Sequence, residues 1–410
     1  MSEIYRKSKY SIYLAAYATM TLSLIWGVFF LAPSPIKLIF SMGMWASICT
    51  FPFVLIKHND FSKWGNILLQ ACILIAIMQI VRTIFNTDAN MNAFGNKWIT
   101  LFGNEYTALL LMPPLFTYLA TWKYNVILLK RATWIFLIAG SICVLNFNNS
   151  LSWISIYAVV FYPYVNKRYK VLLFLAVLES ILSIFSIRMF IIVNMFTFMS
   201  YLLTYVIKKP IWNKLFVIII TIVPLILFIP MLHTTKEPSP FEKLNMYFSD
   251  KANDPSILTD TRTFLYTEMA KDLTDSHSWL IGKGAYSHYY SSYFDQSNMD
   301  KYGRITSEVP FLNHLLRGGI IYGLAYYGLI LLAIYKSTWQ GNNKFVRSIG
   351  IIATGWYFNS FIGDITGCKF YHIAFFLLIG CCLSKKWLNY TDIDIKRIMK
   401  NLKSATALIR

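Results

Sequence analysis

Apolar residues run along most of this chain in blocks of about twenty, and polar residues fall in short clusters between them. A bilayer core of about 30 Å is crossed by about 20 residues of helix. Blocks of that length predict about twelve spans, at 11–32, 36–56, 66–85, 101–121, 131–147, 150–165, 170–186, 187–207, 211–231, 308–335, 345–363 and 369–388. The pattern breaks once. From His233 a polar, aromatic-rich segment of about seventy residues intervenes before the apolar run that starts at Pro310. The expected fold is an all-α polytopic membrane protein: helices one to nine over 1–231, a large loop with an amphipathic helix over 232–307, helices ten to twelve over 308–388, and a basic tail over 389–410. The first run is too long for the core of a signal peptide and reads as a retained anchor.

Composition agrees. The chain is 56% hydrophobic and 14% charged, against roughly a quarter charged in soluble domains. A net charge of +19 would suggest nucleic acid in a soluble protein. Here the lysines and arginines alternate by loop, clustering at 6–9, 57–63, 123–131, 167–170, 208–214, 336–347 and from Lys385 onward, with few in the intervening short loops. By the positive-inside rule the rich side is cytoplasmic, which places both termini inside and the long loop outside. No nucleic-acid partner is expected. Five of the six cysteines fall in predicted spans and Cys368 directly precedes the twelfth, with none in the long loop, so neither a disulfide framework nor a metal site is implied.

Candidate chemistry lies toward the outer side. Arg82 ends the third span, where snorkelling to the interface is the ordinary reading and an anion contact the functional one. Arg188 sits in a tight reversal between the seventh and eighth spans, an interfacial anchor or a functional charge. In the loop, TDTRTFLYTEMAKDL offers Thr259-Asp260 as N-cap and repeats Leu265, Met269 and Leu273 at helical spacing, which predicts an amphipathic helix. Arg262 falls in its first turn, where backbone N–H groups favour an anion; a solvated surface arginine is the plain alternative. Gly282 and Gly284 mark a turn without the spacing of a nucleotide phosphate loop. Tyr286, Tyr289, Tyr290, Tyr293 and Phe294 follow, as core of a small lid or as faces for sugar rings.

The tenth span opens with Ser307 as expected N-cap, Glu308 in the first turn and Pro310 where a missing N–H costs nothing. Asn313, His314 and Arg317 then enter an apolar helix as neighbours, Arg317 about three turns below Ser307. Alone, His314 reads as a structural histidine and Glu308 as a first-turn acid. Together, Arg82, Arg188, Arg317, Asp364, Lys369 and His372 fall at one depth, with Arg262 and Glu308 just above. A layer of cations at one depth suits an anionic headgroup such as a lipid pyrophosphate.

The segments FSIRM, TDTRTFLYTEMAKDL with WLIGKGAYS, and SEVPFLNHLLRGGIIYGL, in this order and on this side, resemble motifs of the O-antigen polymerase and O-antigen ligase superfamily of bacterial envelope glycosyltransferases. The resemblance extends over nearly the whole chain as topology. It implies a metal-independent enzyme without cofactors in the bacterial inner membrane, with an active site facing the periplasm. The donor it implies is an undecaprenyl-pyrophosphate-linked oligosaccharide, with membrane lipids and a chain-length regulator protein as further partners. Arg188 and Arg262 match the family's anion-binding arginines, and Glu308 falls at the position of its base. Ligases and many polymerases carry a His-Asn pair where Glu308 stands, and this departure favours a polymerase branch over a ligase. Geometry adds Arg317 and His314 as substrate contacts, Asn313, Arg82 and Tyr289 are further candidate contacts, and His314 is a rival base facing another way on the same helix. A ligase, and from another class a lipid-linked oligosaccharide flippase, are the alternatives; a flippase would show two-fold internal repetition and short loops throughout.

Overall fold

The computed structural model describes residues 60–85, 159–165, 170–171, 189–207, 209–232, 263–291, 303–363 and 370–400, with scattered positions between 110 and 133. Every named element among them is helical, and two isolated antiparallel bridges, Phe61 with Ser384 and Tyr289 with Arg304, are the extended pairings they make. The helices are α1 (Lys63–Phe85), α2 (Met189–Tyr201), α3 (Pro210–Phe228), α4 (Thr263–Asp275), α5 (Pro310–Tyr335), α6 (Lys344–Asn359), α7 (Phe370–Leu383), α8 (Lys385–Asn389) and α9 (Asp392–Lys400). A π turn extends α2 to Ile207 and α5 to Gln340, and a 3₁₀ turn extends α3 to Leu232.

Three of these, over Lys63–Phe85, Pro210–Leu232 and Pro310–Gln340, are long and apolar enough to cross a membrane. Their outward faces are apolar: Trp64, Leu74 and Phe85 on α1, Ile219 and Ile226 on α3, and Leu324 on α5 are all exposed. Such faces suit lipid rather than water. The predicted spans 66–85, 187–207, 211–231, 308–335, 345–363 and 369–388 coincide with α1, α2, α3, α5, α6 and α7. The expected spans 11–32, 36–56, 101–121, 131–147, 150–165 and 170–186 lie outside the described residues or are described only in fragments.

Boundaries shift for local reasons. The eleventh span stops at Asn359 because Ser360 begins a tight turn in which Ile362 and Gly363 both donate to the Asn359 carbonyl. The twelfth stops at Leu383, since the Ser384 hydroxyl caps α8 by accepting from Trp387 N–H. Ser384 also bonds Asp60 through its side chain, and Lys385 N–H donates to the Asp60 carbonyl at 3.0 Å, tying the start of α1 to the end of α7. Asn343 caps α6 and reaches the carbonyls of Trp387 and Tyr390 at 2.9 and 2.8 Å. Beyond Asn389 the predicted tail folds back as α9, which buries Ile395, Ile398 and Met399 against α6 and the 3₁₀ turn at Tyr162–Tyr164.

The helices therefore have two unlike ends. Around α8 and α9 lie Lys63, Lys209, Lys344, Arg347, Lys385 and Lys386, the basic end. At the other end Phe228 of α3, the turn after α6 and the start of α5 meet, Arg82 of α1 reaches the loop, and there α4 rests. Phe228 of α3 stacks on Tyr266 of α4 at 5.8 Å, and the Tyr266 hydroxyl donates to the Phe361 carbonyl at 2.7 Å. Phe311 N–H donates to the Ser360 carbonyl at 2.9 Å, joining the start of α5 to the end of α6. As the spacing predicts, Leu265, Met269 and Leu273 are the buried stripe of α4.

The tenth span departs furthest from expectation. It begins at Pro310 and breaks at Gly319, whose φ of 66° and ψ of −169° are not helical. Backbone groups freed inside an apolar span need partners. They find them in the loop: Lys283 N–H donates to the Leu316 carbonyl at 2.7 Å, while Ile320 and Ile321 N–H donate to the carbonyls of Trp279 and Leu280 at 2.8 and 3.2 Å. The turn foreseen at Gly282 and Gly284 is present, with φ of 66° and 116°, and Gly282 lies against the break itself.

Candidate functional site

The site is built where this turn meets the broken helix. Three side chains near the end of α1 hold it from below: Gln79 Nε2 donates to the Ile281 carbonyl at 2.5 Å, Arg82 donates to the Gly282 carbonyl at 2.7 Å, and the Thr83 hydroxyl accepts from Ala285 N–H at 2.9 Å. Arg82 thus does more than snorkel. It fastens the loop to the membrane helices. Lys283 is paired with Asp272 of α4 at 2.9 Å and also donates to the His288 carbonyl, so the turn is held from above as well.

Past the turn, Tyr289 forms an isolated antiparallel bridge with Arg304. Tyr289 and Arg304 exchange backbone hydrogen bonds of 3.0 and 2.9 Å. Gly303, with φ of 104°, comes so close to the Tyr289 carbonyl that a β carbon would lie 2.6 Å from its oxygen. Tyr289 is buried, and burial pushes its hydroxyl up to about 12; Arg304 opposes the rise, while Glu268 and Glu308 add to it. One guanidinium and two carboxylates therefore act on a phenol that stays protonated at neutral pH. Glu268 is fixed by Ser291, whose hydroxyl donates to it at 2.5 Å. Of the other aromatics, Tyr286 is buried and Tyr290 is exposed, so the cluster divides between core and surface; Tyr293 and Phe294 lie outside the described residues.

The start of α5 corrects two expectations. Ser307 is not the N-cap, which is Val309; the Ser307 hydroxyl accepts from Val309 N–H at 2.9 Å and so shapes the turn before the helix. Pro310 occupies the first helical turn as expected. Glu308 consequently precedes the helix and is half-buried in an extended turn, so its direction does not follow from helical rotation relative to His314. Asn313 is tied into the fold at this turn. Its Oδ1 accepts from Ser307 N–H at 2.7 Å and its Nδ2 donates to the Ser307 carbonyl at 2.8 Å, in a buried setting. Asn313→Leu would leave the Ser307 N–H unmet and is expected to cost about 1–3 kcal/mol, read as a lower unfolding temperature of the detergent-purified protein.

His314 lies in a nest of tyrosines. Its Nδ1 is 3.0 Å from the Tyr327 hydroxyl, and its ring centroid is 4.1 Å from that of Tyr326 and 5.8 Å from that of Tyr322. Arg317 is buried at 3% exposure, the last full turn before the break, with Nη2 donating to the Ile305 carbonyl at 3.4 Å. Both Arg317 and His372 of α7 lie within electrostatic reach of His314.

The structure thus brings Tyr289 and Glu308 together with Arg304 and Glu268, and sets His314, Arg317 and His372 beneath the loop. Arg188 and Arg262 lie outside the described residues, directly before Met189 and Thr263 in sequence, as do Asp364 and Lys369. Glu268 and Arg304 were not singled out from the sequence. Glu268 sits at the edge of the apolar stripe of α4, three residues after Leu265 and one before Met269, which was the available signal.

No family model, curated protein or solved structure matches the chain.

Proposed function

We propose that the chain is a membrane glycosyltransferase of about twelve spans that polymerises undecaprenyl-pyrophosphate-linked oligosaccharide repeat units on the periplasmic face of the bacterial inner membrane. The observation that carries the reading is the joint placement of Arg317, buried in an apolar helix next to its break, and of a loop cluster of Glu308, Glu268, Tyr289 and Arg304 at the same end. A guanidinium kept in an apolar layer suits a lipid-borne anion. Carboxylates at the adjoining surface suit proton removal from a sugar hydroxyl.

In the reaction, the acceptor hydroxyl oxygen bonds to the anomeric carbon of the donor sugar while the bond from that carbon to pyrophosphate breaks. Glu308 takes the hydroxyl proton, and undecaprenyl pyrophosphate departs with the bonding electrons. Arg317, with Arg188 and Arg262 from the motifs, would steady the charge that grows on the leaving group. The basic end, rich in lysine and arginine, supports a cytoplasmic placement of α8 and α9 by the positive-inside rule.

Deleting the gene and analysing the lipid-linked glycans tests the reading. Single repeat units accumulating on the outer face are expected. Full-length unattached polymer would point to a ligase, units retained on the inner face to a flippase, and an unchanged profile would overturn the proposal.

A further inference from the structure

Asn359, the last residue of α6, is 2% exposed, and neither its Oδ1 nor its Nδ2 has a hydrogen-bond partner among the described residues. Its main chain is well satisfied, with the carbonyl accepting from Ile362 and Gly363 at 3.0 and 2.8 Å. The unmet group is the amide alone. Buried amides with both ends unbonded are uncommon because desolvation goes uncompensated, so such a group calls for a partner supplied from elsewhere.

The packing of α6 locates this amide. A β carbon on Gly355 would lie 2.5 Å from the Phe196 ring, so that face of α6 rests on α2. Trp356 stacks on Phe375 at 4.1 Å and meets His372 edge-on at 5.2 Å, so the adjoining face rests on α7. Asn359 follows Gly355 by four residues and Trp356 by three. It therefore lies between these two directions, one turn nearer the loop end. His372, edge-on to Trp356, also lies within electrostatic range of His314, as does Arg317.

The chemistry of the amide narrows the ligand. A phosphate at neutral pH chiefly accepts, and would leave Oδ1 unmet. A group that donates and accepts at once, a sugar hydroxyl or an acylamino substituent, satisfies both ends. We propose that Asn359 is a sugar-recognition residue that takes such a group on the sugar adjoining the lipid pyrophosphate. The sugar's carrier is identified only through the polymerase reading above, on which this inference rests.

The test uses Asn359→Leu, which keeps approximate shape and removes both polar ends. Unfolding temperature is measured on the detergent-purified full chain, along with binding of two probes: undecaprenyl pyrophosphate alone, and lipid-linked repeat units extracted from cells lacking the gene. The variant is expected to unfold at the same or a higher temperature than wild type and to bind undecaprenyl pyrophosphate equally. It should bind the repeat-unit lipid about tenfold or more weakly. A lower unfolding temperature would mean that the amide is bonded within the fold, and would overturn the proposal. So would wild-type affinity of the variant for the repeat-unit lipid, with the polymerase reading left standing. Wild-type protein that binds neither probe would overturn both.

Discussion

Gly319→Ala is expected to undo the seating of the loop on the membrane helices and to lower stability by about 3 kcal/mol or more, the sum of a left-handed backbone strain and an overpacked contact. A β carbon at Gly319 would stand 2.4 Å from the Leu280 carbonyl oxygen and 2.5 Å from Gly282 N. These are main-chain atoms and cannot rotate aside. The three backbone hydrogen bonds across the break, at 2.7, 2.8 and 3.2 Å, would stretch with the loop. Gly282→Ala meets the same contact from its other side, 2.6 Å from Arg317 C and Gly319 N, so the double variant should cost less than the two singles together. Gly323→Ala is the control. Its nearest neighbour would be a Leu315 methyl at 3.7 Å, and alanine favours helix, so it should be neutral or stabilising. Thermal unfolding in detergent, with protease sensitivity of the loop as second readout, measures all four. Gly319→Ala unfolding alongside wild type would show that the break is not what seats the loop.

That break was not legible in the sequence, and the reason is physical. A pair of glycines in an apolar run reads equally well as a close helix crossing. What turns Gly318-Gly319 into a break is the supply of backbone partners from Trp279, Leu280 and Lys283, some forty residues away, and no local pattern carries that information. A far longer separation, 200 residues, hid the role of Arg82, whose acceptor is the Gly282 carbonyl. Features set by local rules were readable: the phase of α4 from Leu265, Met269 and Leu273, the turn glycines Gly282 and Gly284, and Pro310 in the first turn of α5. Ser307 misled because its hydroxyl does cap a backbone N–H, that of Val309, one residue before the helix begins.

The site was readable by type more than by arrangement. Arg317 stood out as a guanidinium in an apolar helix, and its burial agrees with that. Asn313 stood out for the same reason, yet it serves the Ser307 peptide, since a buried amide within reach of an unpaired peptide satisfies it first. Glu268 and Arg304 were lost among the many charges of a loop whose pairings depend on its tertiary fold.

Glu308→Gln is expected to lower polymer formation by about 10²- to 10⁴-fold, the usual worth of a positioned general base, with the protein inserted at its normal level. Glutamine keeps the shape of the side chain and removes the proton acceptor. Glu308 stands in the turn that leads from the Tyr289–Arg304 pair into α5, half-buried, and in the proposed reaction it would meet the acceptor sugar while Arg317 faces the pyrophosphate. His314 differs in surroundings more than in reach. Its Nδ1 is engaged with the Tyr327 hydroxyl at 3.0 Å and its ring is enclosed by Tyr322, Tyr326 and Tyr327. His314→Gln should therefore loosen the tyrosine nest and leave a measurable fraction of polymer. Glu268→Gln separates proton transfer from placement: Glu268 is bound by the Ser291 hydroxyl, so its loss should raise the acceptor concentration needed for half-maximal rate more than it lowers the maximal rate. If polymer instead survives Glu308→Gln and vanishes in His314→Gln, the proton passes to the imidazole, and Glu308 is left as an acid that only tunes the field at Tyr289.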